Sequence, residues 1–311
     1  MTMSADTKAA GIVHAFRMLQ RSAATALFLS AVLCGQAQVT SSVQVATMAP
    51  NNRTVAVYYR VPKDYDAARL ESYRVLVIFG GRNATGKADV TGRLGWGEWA
   101  DSQGVFLVCP GFKDDNYWEP KAWSGKALTG ALALIGKQYK ICQSKLFFYG
   151  YSAGSQCSNL FPAWKPDLTR AWVSHACGYF HNPGTMMRGV PGLVTCGDAD
   201  ATRYIISRRF VEGCRKYGVD VIWRSYPNHP HDVPPNSLEL ARAFFTLYHN
   251  RYLSDLRFPS TAGRAKPAPP AYIGDMEECD YYPVGSNEAK NVLPDDQVAL
   301  PSKEVAEAWK Q

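Results

Sequence analysis

No stretch of this chain approaches the roughly 18 to 20 apolar residues that a helix needs to cross a bilayer, which excludes a membrane-spanning segment. None of its eight cysteines sits in a C-x-x-C pair or another zinc-like spacing, which excludes a cysteine metal cluster. Runs rich in lysine and arginine are missing, as are nucleic-acid motifs, so nucleic acid is not an expected partner. There is no internal repeat, and with it goes a solenoid.

What is present is a globular composition: 311 residues, 46% of them hydrophobic, enough for a sizeable core. The run from Ser22 to Cys34 is apolar but too short to span. With Arg17 and Arg21 before it and the small residues Gly35 and Ala37 after it, the run predicts a signal peptide over 1–37, cleaved before Gln38. The segment upstream of the apolar run is long for a signal, and translation from Met18 gives one of ordinary proportions. Leu33 stands where a small residue is usual before a lipidated cysteine, which argues against an anchor on Cys34. The expected mature protein is secreted or periplasmic, with no stable membrane insertion. Among the seven cysteines that remain, Cys109 and Cys196 lie in apolar runs and read as core. Cys142, Cys157, Cys177, Cys214 and Cys279 are available for one or two disulfides.

Charge is uneven. The formal net charge is +7, and removal of 1–37 takes away three cations and one acid, leaving +5. Residues 271–311 hold nine acids against three lysines, so residues 38–270 carry +11. An acidic tail folding back on a basic body follows from that asymmetry.

Residues 43–48 and 53–61 alternate around Pro50-Asn51-Asn52, predicting an antiparallel hairpin. Continuous apolar runs then appear at 74–79, 105–109, 146–149, 171–174, 193–196 and 219–223, as in strands buried on both faces. Helical patterns separate them at 125–139, 153–161, 202–217 and 236–250. The alternation predicts an α/β fold with a mostly parallel central sheet flanked by helices. Its domain covers 38–257, with a proline-rich linker over 258–270. The aromatic-rich tail, 271–311, is expected to pack on the domain.

The run 146–149 leads directly into Gly150-Tyr151-Ser152-Ala153-Gly154 and then into a helical pattern, the strand-turn-helix setting that a G-x-S-x-G elbow requires. A side chain at Gly150 or Gly154 would collide with the adjoining strand or helix, and the turn leaves the Ser152 hydroxyl projecting alone. A serine hydroxyl needs a base to take its proton, and the base needs a carboxylate to fix its tautomer. The carboxylate is expected after strand 193–196, where Asp200 is preferred to Asp198, although an aspartate there also suits a helix N-cap. The base is expected in the loop after 219–223, where His231, nearer the following helix, is preferred to His229. Oxyanion donors are expected from the backbone of Ala153 and from Gly81 or Arg82 in the glycine-rich turn after strand 74–79. Tyr117, Trp118 and Trp123 crowd the loop after strand 105–109 and, with Tyr151, are candidates for substrate contact.

The elbow, the Gly80-Gly81 turn and the histidine loop before a final helix resemble the α/β-hydrolase superfamily over roughly residues 70–250. The resemblance is strongest to its extracellular polyester-depolymerase and feruloyl-esterase-like members. It implies hydrolysis of a small-molecule or polymer-linked carboxylic ester without a cofactor or metal. Phe79 stands where many relatives have histidine, and the tail matches no known module. Three other readings compete: a non-catalytic carbohydrate- or ligand-binding protein on the same scaffold, a serine peptidase, and a metallohydrolase using His229, His231 and Asp232.

Overall fold

The computed structural model describes residues 40–47, 52, 54–113, 116–257 and 267–311. The expected signal segment and most of the expected linker lie outside these residues. Alternating burial of β1 (Thr40–Ala46) and β2 (Thr54–Arg60) fits one covered face, and the two pair antiparallel as the hairpin. The strands that follow, β3 (Arg74–Phe79), β4 (Val105–Pro110), β5 (Leu146–Tyr151), β6 (Thr169–His175), β7 (Gly192–Gly197) and β8 (Val221–Tyr226), complete an eight-stranded sheet. Its order is β1-β2-β4-β3-β5-β6-β7-β8, antiparallel at the hairpin edge and parallel from β4 to β8.

Because successive strand side chains point to opposite faces, β3 feeds two cores. Val75, Val77 and Phe79 pack with α3 (Gly125–Gly136), α4 (Ala153–Trp164) and α5 (Ala201–Tyr217). Leu76 and Ile78 pack with α2 (Trp96–Gln103), which follows the short α1 (Lys87–Val90), and with α6 (Pro235–Arg257). Helix α2 has no counterpart in the sequence reading. It lies between Gly95 and Gly104, both left-handed, and is held by Trp96 and Trp99 against Phe245. Strand β8 starts later than the apolar run 219–223 because α5 does not end until Gly218, and the Val219 amide still bonds the Cys214 carbonyl.

The C-terminal residues form β9 (Tyr272–Asp275), β10 (Asp280–Pro283), α7 (Asn287–Asn291), β11 (Gln297–Leu300) and α8 (Lys303–Lys310), the strands making a separate antiparallel sheet in the order β10-β9-β11. Trp309 on α8 is fully buried in the core below α6, and its indole N–H donates to the Trp223 carbonyl at 2.7 Å. The guanidinium of Arg224 lies 5.1 Å from the centre of the same ring. All seven described cysteines are free thiols, so the expected disulfides do not form among them; Cys157, Cys177 and Cys214 are buried in the core, and the Cys177 thiol donates to the Tyr179 carbonyl.

Candidate active site

The parallel strands all end at one edge of the sheet, and there the chain gathers its chemistry. Ser152 joins β5 to α4 with φ 56° and ψ −125°, a left-handed conformation that only tight surroundings impose on a serine. Its backbone is tied on both sides: the amide donates to the His175 carbonyl at 3.0 Å, and the carbonyl accepts from the Ser155 amide at 3.0 Å. The two glycines are obligatory for steric reasons. A Cβ on Gly150 would overlap the Gly154 carbonyl, and one on Gly154 would overlap the carbonyls of Phe79 and Gly80.

The Ser152 hydroxyl is 2.8 Å from Nε2 of His231, and Nδ1 of that ring is 2.6 Å from Oδ2 of Asp200. Asp200 occupies the N-cap position of α5, yet its carboxylate does not cap the helix. One oxygen meets His231 and the other accepts from Arg203 at 3.0 Å. Asp198 is used elsewhere, accepting the Asn228 amide at 2.7 Å. His229 turns away to Asp232, 3.3 Å distant, while its carbonyl accepts the Ala199 amide and presses on Gly197, where no Cβ fits. Of the two aspartates and two histidines weighed from sequence, the structure joins Asp200 and His231 to the serine. Both nitrogens of His231 are thereby engaged, so the His229, His231 and Asp232 side chains do not converge as ligands.

Two side chains that sequence reasoning left without this role fix the histidine loop. The Tyr151 hydroxyl donates to the His231 carbonyl at 2.9 Å, and its ring stacks on the imidazole at 5.3 Å between centres. Tyr151 therefore backs His231 and does not join Tyr117 and Trp118 in lining a cleft. His175 is buried at the end of β6, its Nε2 2.7 Å from the Asp232 carbonyl and its Nδ1 2.7 Å from the Thr195 hydroxyl. A carbonyl only accepts, so the proton sits on Nε2 and Nδ1 accepts from Thr195. Burial pushes His175 down to about 4, which keeps it neutral. Nothing local in the sequence marks this residue, because its partners lie 20 and 57 residues away.

The Gly81 backbone abuts Ser152, with a Cβ at Gly81 lying 3.6 Å from that of the serine. Arg82 and Ala153 line a cavity of about 360 Å³ together with Tyr117, Trp118, Gln156 and Tyr179. Trp123 lies outside it: 4% exposed, it packs on Phe112 at 5.1 Å and faces a different cavity beside Ala56 and Lys113. Gln156 was legible in principle, standing one helical turn beyond Ala153 on the same face. Tyr179 was not, since it comes from the loop after β6 and is held there through its carbonyl by the Asn159 amide at 3.1 Å.

No family model matches the chain, and no curated protein matches it. Solved structures do. The fluorophosphonate-binding serine hydrolase F of Staphylococcus aureus superposes with a TM-score of 0.53 at 11% identity, covering 68% of this chain and 99% of that one. A ferulic acid esterase of Anaeromyces mucronatus superposes with a TM-score of 0.52 at 14% identity, covering 68% and 90%. A poly(aspartic acid) hydrolase of Sphingomonas gives 0.51 at 15%, covering 70% and 97%. At such identities the likeness is one of fold: this chain has the α/β-hydrolase fold. Within its described residues the N-terminal hairpin is part of the main sheet, and the C-terminal residues form a separate small sheet with helices.

Proposed function

We propose that the chain hydrolyses carboxylic esters by acyl transfer through Ser152, with His231 as base and Asp200 as its orienting carboxylate. The observation that carries this reading is the continuous hydrogen-bonded series from the Ser152 hydroxyl through His231 to Asp200. In the first half-reaction the Ser152 oxygen attacks the ester carbonyl while Nε2 takes its proton, and the buried carboxylate stabilises the imidazolium that forms. Backbone N–H groups of Ala153 and of Gly81 or Arg82 receive the developing oxyanion. The alcohol leaves with the proton from Nε2, and a water deprotonated by the same nitrogen releases the acid. That proteins of this fold include serine hydrolases and a ferulic acid esterase supports the reaction class.

The test is hydrolysis of short-chain and aromatic acyl esters, with matched amides, by the protein and by Ser152→Ala. Ester turnover that vanishes in the variant supports the reading. Turnover equal in both proteins removes the serine from the reaction, and preference for the amides makes the chain a peptidase. Export belongs to the same proposal, with cleavage before Gln38, and N-terminal sequencing of the protein recovered from its producing cells checks it.

A further inference from the structure

The cavity beside Ser152 has a chemical character of its own. At about 360 Å³ it stands at the lower end of small-molecule sites, with room for a single substituted ring. Ala153, the residue after the nucleophile, forms part of its wall, so a group seated there lies next to the reacting ester. Three of its six lining side chains are aromatic. Tyr117 is buried and fixed, meeting Trp118 edge to face at 5.3 Å. Tyr179 is 52% exposed, yet its backbone carbonyl is held by both Asn159 and the Cys177 thiol, so its ring is offered from an anchored loop.

Among the described residues the polar lining is the Gln156 amide and the Arg82 guanidinium, with no carboxylate beside them. Arg82 differs from the other arginines near the site. Arg203 is committed to Asp200 and Arg93 to Asp89, whereas Arg82 forms no ion pair or hydrogen bond with a described residue. Burial pushes the Tyr117 phenol up, and the Arg82 charge opposes that shift, so cation and ring share one environment. A cation without a counter-charge among the described residues, set among aromatic faces beside a nucleophile, is suited to a planar anion.

We propose that this cavity is a subsite for an aromatic group bearing a carboxylate, stacked among Tyr117, Trp118 and Tyr179 and paired through its carboxylate with Arg82. The subsite rests on the ester-hydrolase reading for its place in the reaction, though not for its ability to bind. The substrate class is then a half-ester: either the acyl ring or the leaving phenol carries a free acid.

Two pairs of esters separate these placements: methyl 4-carboxybenzoate against methyl benzoate, and 4-carboxyphenyl acetate against phenyl acetate. Within each pair the ratio of kcat/KM values is compared between the protein and Arg82→Gln, so that intrinsic reactivity cancels. The expected result is a preference for the carboxylate member of one pair that falls about tenfold in Arg82→Gln, is partly kept by Arg82→Lys, and weakens as salt is raised. Unchanged ratios in both pairs, with turnover still dependent on Ser152, overturn the subsite and leave the hydrolase reading standing. If no ester is turned over, the hydrolase reading fails and binding decides the subsite: Ser152→Ala should bind benzoate more tightly than benzamide by ligand-observed NMR, and adding Arg82→Gln should abolish the difference. Equal or absent binding overturns it.

Discussion

Asp200 and Asp198 lie two positions apart at the end of one strand and have the same charge, yet only one reaches His231. Geometry makes their predicted effects diverge. Asp200→Asn should lower kcat by about 10²–10⁴, because an amide cannot stabilise the imidazolium and favours the wrong tautomer. Asp198→Asn, which keeps an oxygen to accept the Asn228 amide, should change kcat by about twofold or less. Steady-state kinetics on any hydrolysed ester checks both, and equal losses would reverse the assignment. The choice between these aspartates, and between His229 and His231, turns on directions of side chains in adjoining loops. Spacing in the sequence orders such candidates but does not aim them. Tyr151 shows the same limit: its neighbour identifies it as part of the site, while its hydroxyl turns out to serve the His231 carbonyl.

Strands β3, β4 and β5 are legible as unbroken apolar runs because helices cover both faces of the sheet at its centre. Strand β8 is legible only in part, since Arg224 interrupts its pattern; that arginine is buried because the C-terminal extension supplies the Lys310 carbonyl and the Trp309 ring. The elbow is the element on which the site depends most. Gly154→Ala places a methyl group against two backbone carbonyls that cannot move without displacing β3. We predict a loss of stability of more than about 2 kcal/mol together with loss of turnover, read by chemical denaturation and kinetics. On the opposite face, Trp309→Ala should cost about 3–5 kcal/mol, since it empties a fully buried indole site and leaves Arg224 without its ring. Trp309→Phe should cost clearly less, because it forfeits mainly the bond to Trp223.

Across the molecule, three histidines, His175, His181 and His249, are each pushed down to about 4, burial being the largest cause for each. Their folded values lie below the unfolded value near 6.5, so the unfolded chain binds more protons between about pH 4 and 6.5. Stability is therefore full above about pH 6.5 and declines as pH falls through that window. The thermal midpoint should drop steeply from pH 6.5 to 4, and His249→Gln should flatten the slope without touching the site. The same midpoint at pH 4.5 and 7 would contradict the burial of these rings. None of this is visible in composition, which counts six histidines without saying which are enclosed. The α/β alternation and the chemical order serine, aspartate, histidine are visible there, because each strand and each turn carries its own local pattern. Of the extension, the sequence suggests packing on the body from its aromatic content alone, while its sheet and its anchor at Trp309 acquire meaning only against the body they cover.

The central claim is that Ser152 is a nucleophile activated by His231 and Asp200. Its most direct test is covalent labelling with a fluorophosphonate, followed by intact-mass and peptide mass spectrometry, because the reagent needs an activated serine and no knowledge of the substrate. A single adduct on Ser152, absent in Ser152→Ala and formed far more slowly in His231→Gln and Asp200→Asn, is the predicted result. No adduct, or one that persists in Ser152→Ala, would contradict it.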